Sequence, residues 1–100
     1  MIKHIVMWKL KESAHGNTKD KNARLIKEKL ESLNGKIPGM LKLEVGSDFS
    51  MGKESYDVVL YSEFKSKEDL NNYQNHPDHK AIMPFVGEAK EEKRVVDYEV

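Results

Sequence analysis

Four stretches of this 100-residue chain alternate with period two and are separated by stretches of helical period, a pattern that leaves few folds open. Their order is β α β β α β. The first strand sets Ile2, His4, Val6, Trp8 and Leu10 on one parity and Lys3, Ile5, Met7, Lys9 and Lys11 on the other. One parity is apolar apart from a single histidine, and the other mixes two apolar residues with three lysines, so both faces are at least partly covered. A second strand spans Met40 to Val45, with Leu41, Leu43 and Val45 alternating with Lys42 and Glu44. A third spans about Tyr56 to Phe64, and Lys93 to Val100 supplies the fourth.

Between the first two strands, a loop from Ser13 to Asn17 containing Gly16 leads to Asn17 or Thr18 as a helix cap, with Asp20 near the positive end. Ala23, Ile26, Leu30, Leu33 and Ile37 then recur at spacings of 3, 4, 3 and 4, the signature of a one-sided amphipathic helix. Gly35 is expected to end it, leaving Ile37 in the exit turn. The lysines and glutamates of this helix read as a solvated face. Gly46 to Ser55 is a loop, expected to be mobile around Gly52. Ser66-Lys-Glu-Asp69 approximates a capping box that opens a second helix. Pro77 pushes the residue before it out of the α region, so that helix stops near Asn75 or His76 and a new one starts at the proline. Ile82, Phe85, Val86 and Ala89 give its apolar stripe, interrupted by Pro84.

This order is the split βαβ plan: an α+β, ferredoxin-like, four-stranded antiparallel sheet with helices on one face. Residues 1–100 are expected to form a single domain. The other sheet face would carry Ile5, Met7, Val59, Tyr61 and Val95, more apolar surface than a stable monomer usually exposes. A two-fold homodimer through that face follows as an expectation.

Composition narrows the function classes. The 17 Lys and Arg balance 17 Asp and Glu with both signs dispersed, so no nucleic-acid footprint is evident. Absence of cysteine excludes a disulfide framework, a thiolate zinc site and a cysteine nucleophile. No apolar run approaches the roughly 20 residues of a membrane span, and Lys3, His4 and Lys9 break any signal-peptide core, so no membrane association and a cytoplasmic location are expected.

The histidines carry the chemical information. His15 lies in the Gly-containing loop and reads as an exposed imidazole without a role. His4 interrupts an apolar parity, so its ring points between sheet and helices and must find a partner there. Tyr73 and His79 would stand about 240° apart on an unbroken helix, but the Pro77 break can turn both rings toward one pocket. His76 precedes the proline and reads as structural, its ring capping exposed groups. His76 and His79 have an i, i+3 spacing with Asp78 nearby, yet no third ligand pattern accompanies them, so no metal is expected. No phosphate loop, nucleophile elbow or dinucleotide fingerprint occurs, and no cofactor is expected.

The strand Ile2-Lys3-His4-Ile5-Val6, the segment Tyr56 to Phe64, the motif Tyr73-x-x-His76-Pro77-x-His79 and the ending Val95-Val96-Asp97-Tyr98 together resemble the stress-responsive A/B barrel domain across essentially the whole chain. The resemblance implies a ferredoxin-like protomer and a dimeric α+β barrel. Members include plant stress-associated proteins, many bacterial proteins and a plant polyketide cyclase of the olivetolic acid cyclase type. In the cyclase a strand histidine, a helix tyrosine and the last histidine of the His-Pro-x-His motif line the active site. By position these match His4, Tyr73 and His79. The resemblance thus implies a catalytic triplet, with His76 and Pro77 as the structural motif and a small aromatic or polyketide-like ligand; Trp8 and Phe85 are expected as substrate-binding rings. Three functional classes follow. One is a small-molecule-binding domain catalysing proton transfer or aldol-type cyclisation next to a carbonyl, as a cofactor-independent cyclase or lyase. Another is a non-enzymatic stable dimer with a structural histidine network. The third is an oxygenase-like dimeric α+β barrel.

Overall fold

The computed structural model describes residues 1–100. In chain order the strands are β1 (Ile2–Leu10), β2 (Ser13–Ala14), β3 (Asn17–Thr18), β4 (Met40–Ser47), β5 (Val58–Phe64) and β6 (Lys90–Glu99). The main sheet has the order β4-β5-β1-β6, with every pair antiparallel. Helices α1 (Lys19–Glu31), α2 (Lys67–Asn75) and α3 (Pro77–Ala89) provide the second layer of this ferredoxin-like fold. The inner parity falls where the sequence places it: Ile2, His4, Val6, Trp8 and Leu10 are buried, and so are Val58, Leu60, Ser62 and Phe64 opposite them. No helix is long and apolar enough to cross a membrane.

Helix α1 starts at the Thr18 cap, whose hydroxyl accepts the Lys21 N–H at 3.3 Å. Ala23, Ile26 and Leu30 press its inner face onto the sheet, and burying residues the size of Ile26 or Leu30 is worth roughly 1.5–3 kcal/mol each. The helix ends at Glu31, earlier than Gly35, because bonds from Leu33 N–H to Leu30 and from Asn34 N–H to Glu31 tighten the chain into i→i+3 turns. Gly35, at φ 80°, closes that turn region. The charged face of α1 is not wholly solvated. Lys27 Nζ donates to the Val45 carbonyl at 2.7 Å, Glu31 accepts the Val45 N–H at 3.1 Å, and Asn34 donates to the Leu43 carbonyl at 3.0 Å. These side chains satisfy the outer edge of β4, the kind of exposed ladder that otherwise invites pairing with another chain.

The loop after β1 contains the two-residue ladder of β2 against β3, too short for any periodicity. His15 and Gly16 both hold positive φ, 55° and 73°, as a two-residue hairpin turn of the primed type requires. Buried Asn22 ties this hairpin to α1, donating to the Ala14 carbonyl at 3.0 Å and accepting from Asn17 at 3.2 Å. The loop preceding β5 is stitched internally: Asp48 accepts from the Met51 N–H at 2.8 Å and from Ser50 at 3.0 Å, while Phe49 and Met51 project into solvent. The Met51 N–H holds the Asp48 carboxyl below its usual range.

Register settles the open face. Met7 faces Val59 and Ile5 faces Tyr61 across β1 and β5, and Val96 and Tyr98 continue that face on β6. Val95 does not belong to it. It pairs with Val6, so it points to the helix side, and both parities of β6 being apolar at Val95 and Val96 hid the one-residue slip from pattern reading. No helix covers β6, whose ten residues are all exposed.

Candidate functional site

Four elements bring their side chains together beneath the α2–α3 joint. The inner parity of β1 supplies His4, and β5 supplies Phe64. Leu70 and Tyr73 are the buried residues of α2, and the break at Pro77 turns α3 so that His79 meets the Tyr73 ring. The Tyr73 ring is the hub: its centroid lies 4.5 Å from His79, 5.2 Å from Phe64 and 6.3 Å from His4. An unbroken helix could not make the first of these contacts. The joint itself is built by His76, which donates its backbone N–H to the Tyr73 carbonyl at 3.1 Å and accepts the Asp78 N–H on its ring Nδ1 at 3.1 Å. His76 therefore caps the end of α2 and the start of α3 at once, with Pro77 in the first turn.

The three polar rings occupy different electrostatic settings. His4 Nδ1 bonds the Asp97 carboxylate, its cross-strand partner on β6. A carboxylate at Nδ1 fixes the tautomer with the proton there and leaves Nε2 as the free nitrogen. His79 has a buried Nδ1 that no group meets in hydrogen-bond geometry. Burial lowers the His79 pKa below its ordinary value, the Gln74 carbonyl opposes this, and the charges of His4, Lys93 and His76 reinforce it. At neutral pH His79 is an uncharged imidazole. Burial alone drives the Tyr73 phenol well above its usual range, so it stays protonated and able to donate. The set thus holds a neutral nitrogen base next to a protonated phenol, with a tautomerically fixed imidazole on the sheet side.

Asp97 is the member that single-residue reading misses. Its signal lies in the pairing of β1 with β6, 93 residues apart, which sets a carboxylate opposite a buried histidine. Other expected site residues lie elsewhere. Trp8 is buried on the same parity as His4 but four residues along β1, about 13 Å away, against Val58 and Lys93. Phe85 is six residues beyond His79 on α3, about 9 Å along the helix axis. Its ring stacks on His15 at 4.1 Å with planes 4° apart, with Lys29 Nζ 4.9 Å from its centroid. His15 is thus not idle: its Nε2 donates to the Phe85 carbonyl at 2.9 Å, latching the hairpin to α3. No three His, Cys, Asp or Glu side chains cluster as a metal site would require.

Cavities occur away from the ring cluster. One of about 890 Å³ lies among the end of β1, the start of α1 and the 48–57 loop, lined by charged groups including Lys19, Arg24, Asp48 and Asp57. Another of about 400 Å³ opens beside Met7, Phe49 and Val59 on the open sheet face. Neither is lined by His4, Tyr73 or His79.

A family model, the Stress responsive A/B Barrel Domain, matches residues 2–100. The chain belongs to the stress-responsive A/B barrel family. A curated family relative, the stress-response A/B barrel domain-containing protein DABB1 of Arabidopsis thaliana, is 28% identical over 103 residues, which cover 98% of this chain and 46% of that protein. The chain therefore spans about half the length of this relative. Among solved structures, a dimeric protein of ferredoxin-like fold from Bacteroides fragilis superposes with a TM-score of 0.87 at 37% identity, covering 99% of this chain and 95% of that one. The hydroxynitrile lyase of Passiflora edulis superposes with a TM-score of 0.81 at 20% identity, covering 99% and 92%, and shares the fold.

Proposed function

We propose that this stress-responsive A/B barrel protein is a homodimer that binds a small carbonyl compound at the His4–Tyr73–His79 cluster and moves a proton at the carbon next to the carbonyl. The observation that carries the reading is the buried His79 ring against the Tyr73 ring, its Nδ1 having only the Gln74 carbonyl beside it and no well-formed hydrogen bond. An unsatisfied buried polar atom is costly, and natural proteins keep few without a use. In the reaction, neutral His79 takes the proton, and the Tyr73 hydroxyl donates a hydrogen bond to the oxygen on which charge develops. His4, held by Asp97, orients the substrate or the rings from the sheet side. Aldol-type cyclisation and lyase chemistry both begin from such a step. The homodimer is supported by the apolar strip of Met7, Val59, Tyr61 and Val96 on the open face, and by the dimeric Bacteroides fragilis relative.

The test is solvent-deuterium exchange into a panel of aromatic ketones and β-keto compounds, followed by proton NMR with wild-type protein and His79→Gln. Exchange above the buffer rate for one compound class, lost in His79→Gln with folding retained, is the expected result. Exchange equal in both proteins, or in neither, overturns it. One observation favours a second reading, a structural ring network in a non-enzymatic dimer: Tyr73 is only 1% exposed and no described cavity reaches it. Failure of every compound to exchange or to shift the histidine ring signals selects that alternative.

A further inference from the structure

The loop between β4 and β5 holds two large apolar side chains out in water: Phe49 is 94% exposed and Met51 is 88% exposed. It does so as a built structure. The Asp48 N–H donates to the Asp57 carbonyl at 2.9 Å, and the Asp48 carboxylate accepts the Met51 N–H at 2.8 Å. Ser55 Oγ accepts the Gly52 N–H at 3.1 Å and shares a bond with Ser50 Oγ at 2.9 Å. Met51 closes this network at a φ of 54°, a conformation that residues other than glycine seldom adopt. The two exposed side chains border different surroundings. Met51 lines the charged cavity beside α1, whereas Phe49 lines the hollow of about 400 Å³ on the open sheet face, together with Met7 and Val59. That hollow exists because β4 carries no side chain there: Gly46 pairs with Val59 and so stands on the same face, and a Cβ placed on it would meet Val59 Cγ1 at 3.6 Å, an ordinary contact. Toward the other end of the face Lys3 opposes Glu63, Lys42 lies 3.4 Å from Glu44, and both lysines stand over the Tyr61 ring. Arg94 borders Met7 on the β6 side. The apolar, hollowed part of the face is thus the end at Met7, Val59 and Gly46, and Phe49 stands at its rim.

Resting on the homodimer reading above, we propose that Phe49 anchors that dimer, each protomer inserting its Phe49 ring into the partner's hollow over Gly46 and Val59, with the two-fold axis passing beside Met7. The occupant is a second copy because the knob and the hole stand side by side on one surface. In a two-fold interface every contact from one patch to another is repeated in the opposite direction, so such a surface satisfies itself twice when two copies meet. The loop is already fixed by its own hydrogen bonds, so it loses little freedom on association. Two phenyl rings seated in pockets then supply the central aromatic anchors that a flat strip of valine and methionine lacks.

The experiment follows the dimer Kd of the full chain by fluorescence-detected sedimentation from nanomolar to submillimolar protein, for wild type, Phe49→Ser, Met51→Ser, Gly46→Val and the Phe49→Ser/Gly46→Val double variant. Phe49 meets water on nearly every side, so its replacement leaves the protomer folded, which urea unfolding checks. Two rings are lost per dimer, and Phe49→Ser is expected to raise Kd at least about 100-fold. Gly46→Val fills the seat and should raise Kd about 10-fold or more, since an overfilled contact cannot close. The double variant should be no weaker than Phe49→Ser alone, because a ring that is gone cannot be excluded. Met51→Ser should leave Kd in place, although Met51 is nearly as exposed as Phe49. An unchanged Kd in Phe49→Ser or in Gly46→Val overturns the proposal and leaves the homodimer standing. A rise in Met51→Ser as large as that in Phe49→Ser also overturns it, by showing that exposure and not the seat is what counts. Wild-type protein that stays monomeric throughout refutes the homodimer itself, and the anchor with it.

Discussion

Replacing Tyr73 with phenylalanine removes one oxygen from the hub of the ring cluster and leaves everything else that the ring does. Its contacts to His79, Phe64 and His4, at centroid distances of 4.5, 5.2 and 6.3 Å, are made by the ring and persist when the hydroxyl is gone. The hydroxyl sits in surroundings apolar enough to drive its pKa far upward, so deleting it exposes no new apolar surface and opens almost no cavity. No protein hydrogen bond is lost with the hydroxyl, so stability should change by no more than about 1 kcal/mol. Tyr73→Ala, by contrast, empties a residue that is 1% exposed and should cost about 3–5 kcal/mol. The proposed proton transfer has no such tolerance for the phenylalanine. Losing one donor to a developing oxyanion lowers the rate about 10²–10³-fold, equivalent to roughly 2.7–4 kcal/mol of transition-state stabilisation. The assay pairs urea unfolding with the deuterium-exchange rate on whichever compound the wild-type protein turns over. A Tyr73→Phe protein that exchanges at the wild-type rate refutes the donor role, and one that unfolds as readily as Tyr73→Ala refutes the packing argument.

Burial holds the His79 pKa below 6.5, so its base form predominates at neutral pH and the exchange rate should fall on acidification with a midpoint below 6.5, checked by a pH–rate profile; a midpoint at or above 6.5 contradicts the assigned base. The same group makes a stability contribution that is full above 6.5 and lost as pH falls through the lower folded value, because the unfolded chain binds that proton first. Urea midpoints of wild type and His79→Gln should therefore converge as pH drops below 6.5. Gly39→Ala drives a Cβ into the Asp69 side chain at φ 80°, disturbing the carboxylate that accepts from the Ser66 hydroxyl at the start of α2. Left-handed backbone and a weakened cap together should cost about 2–3 kcal/mol by urea titration. Val59→Lys puts a charge on the open face opposite Met7, and light scattering at micromolar concentration should then report monomers where the proposed homodimer gives dimers for the wild-type protein.

How far the sequence reaches depends on whether the information is periodic or pairwise. The strands β1 and β5 announce themselves because one face of each is buried, and the Pro77 break is legible because proline constrains its own neighbour without tertiary help. Boundaries blur where local bonds decide: α1 stops in tightened turns before Gly35, and β6 begins at Lys90, three residues before the alternation is visible, across an irregularity between Lys9 and Leu10. The β2–β3 ladder has two residues a side and carries no pattern at all.

Within the site, the same division explains what is visible. His4 is conspicuous as a polar interruption, and Tyr73 and His79 are conspicuous because the proline lets residues on opposite helix faces converge. Asp97 is silent until β6 is laid beside β1, and His15 is silent until Phe85 arrives from 70 residues away. Lys93 is the instructive case. Nothing about a lysine in the run Lys90-Glu-Glu-Lys93-Arg94 distinguishes it from its neighbours. Only the register, which turns Lys93 to the helix side and Arg94 to the open face, separates the two. The surroundings of the ring cluster are therefore written in strand pairing more than in motif. A family member that keeps the three rings but shifts β6 by one residue would turn the carboxylate partner of His4 to the wrong face and lose the fixed tautomer.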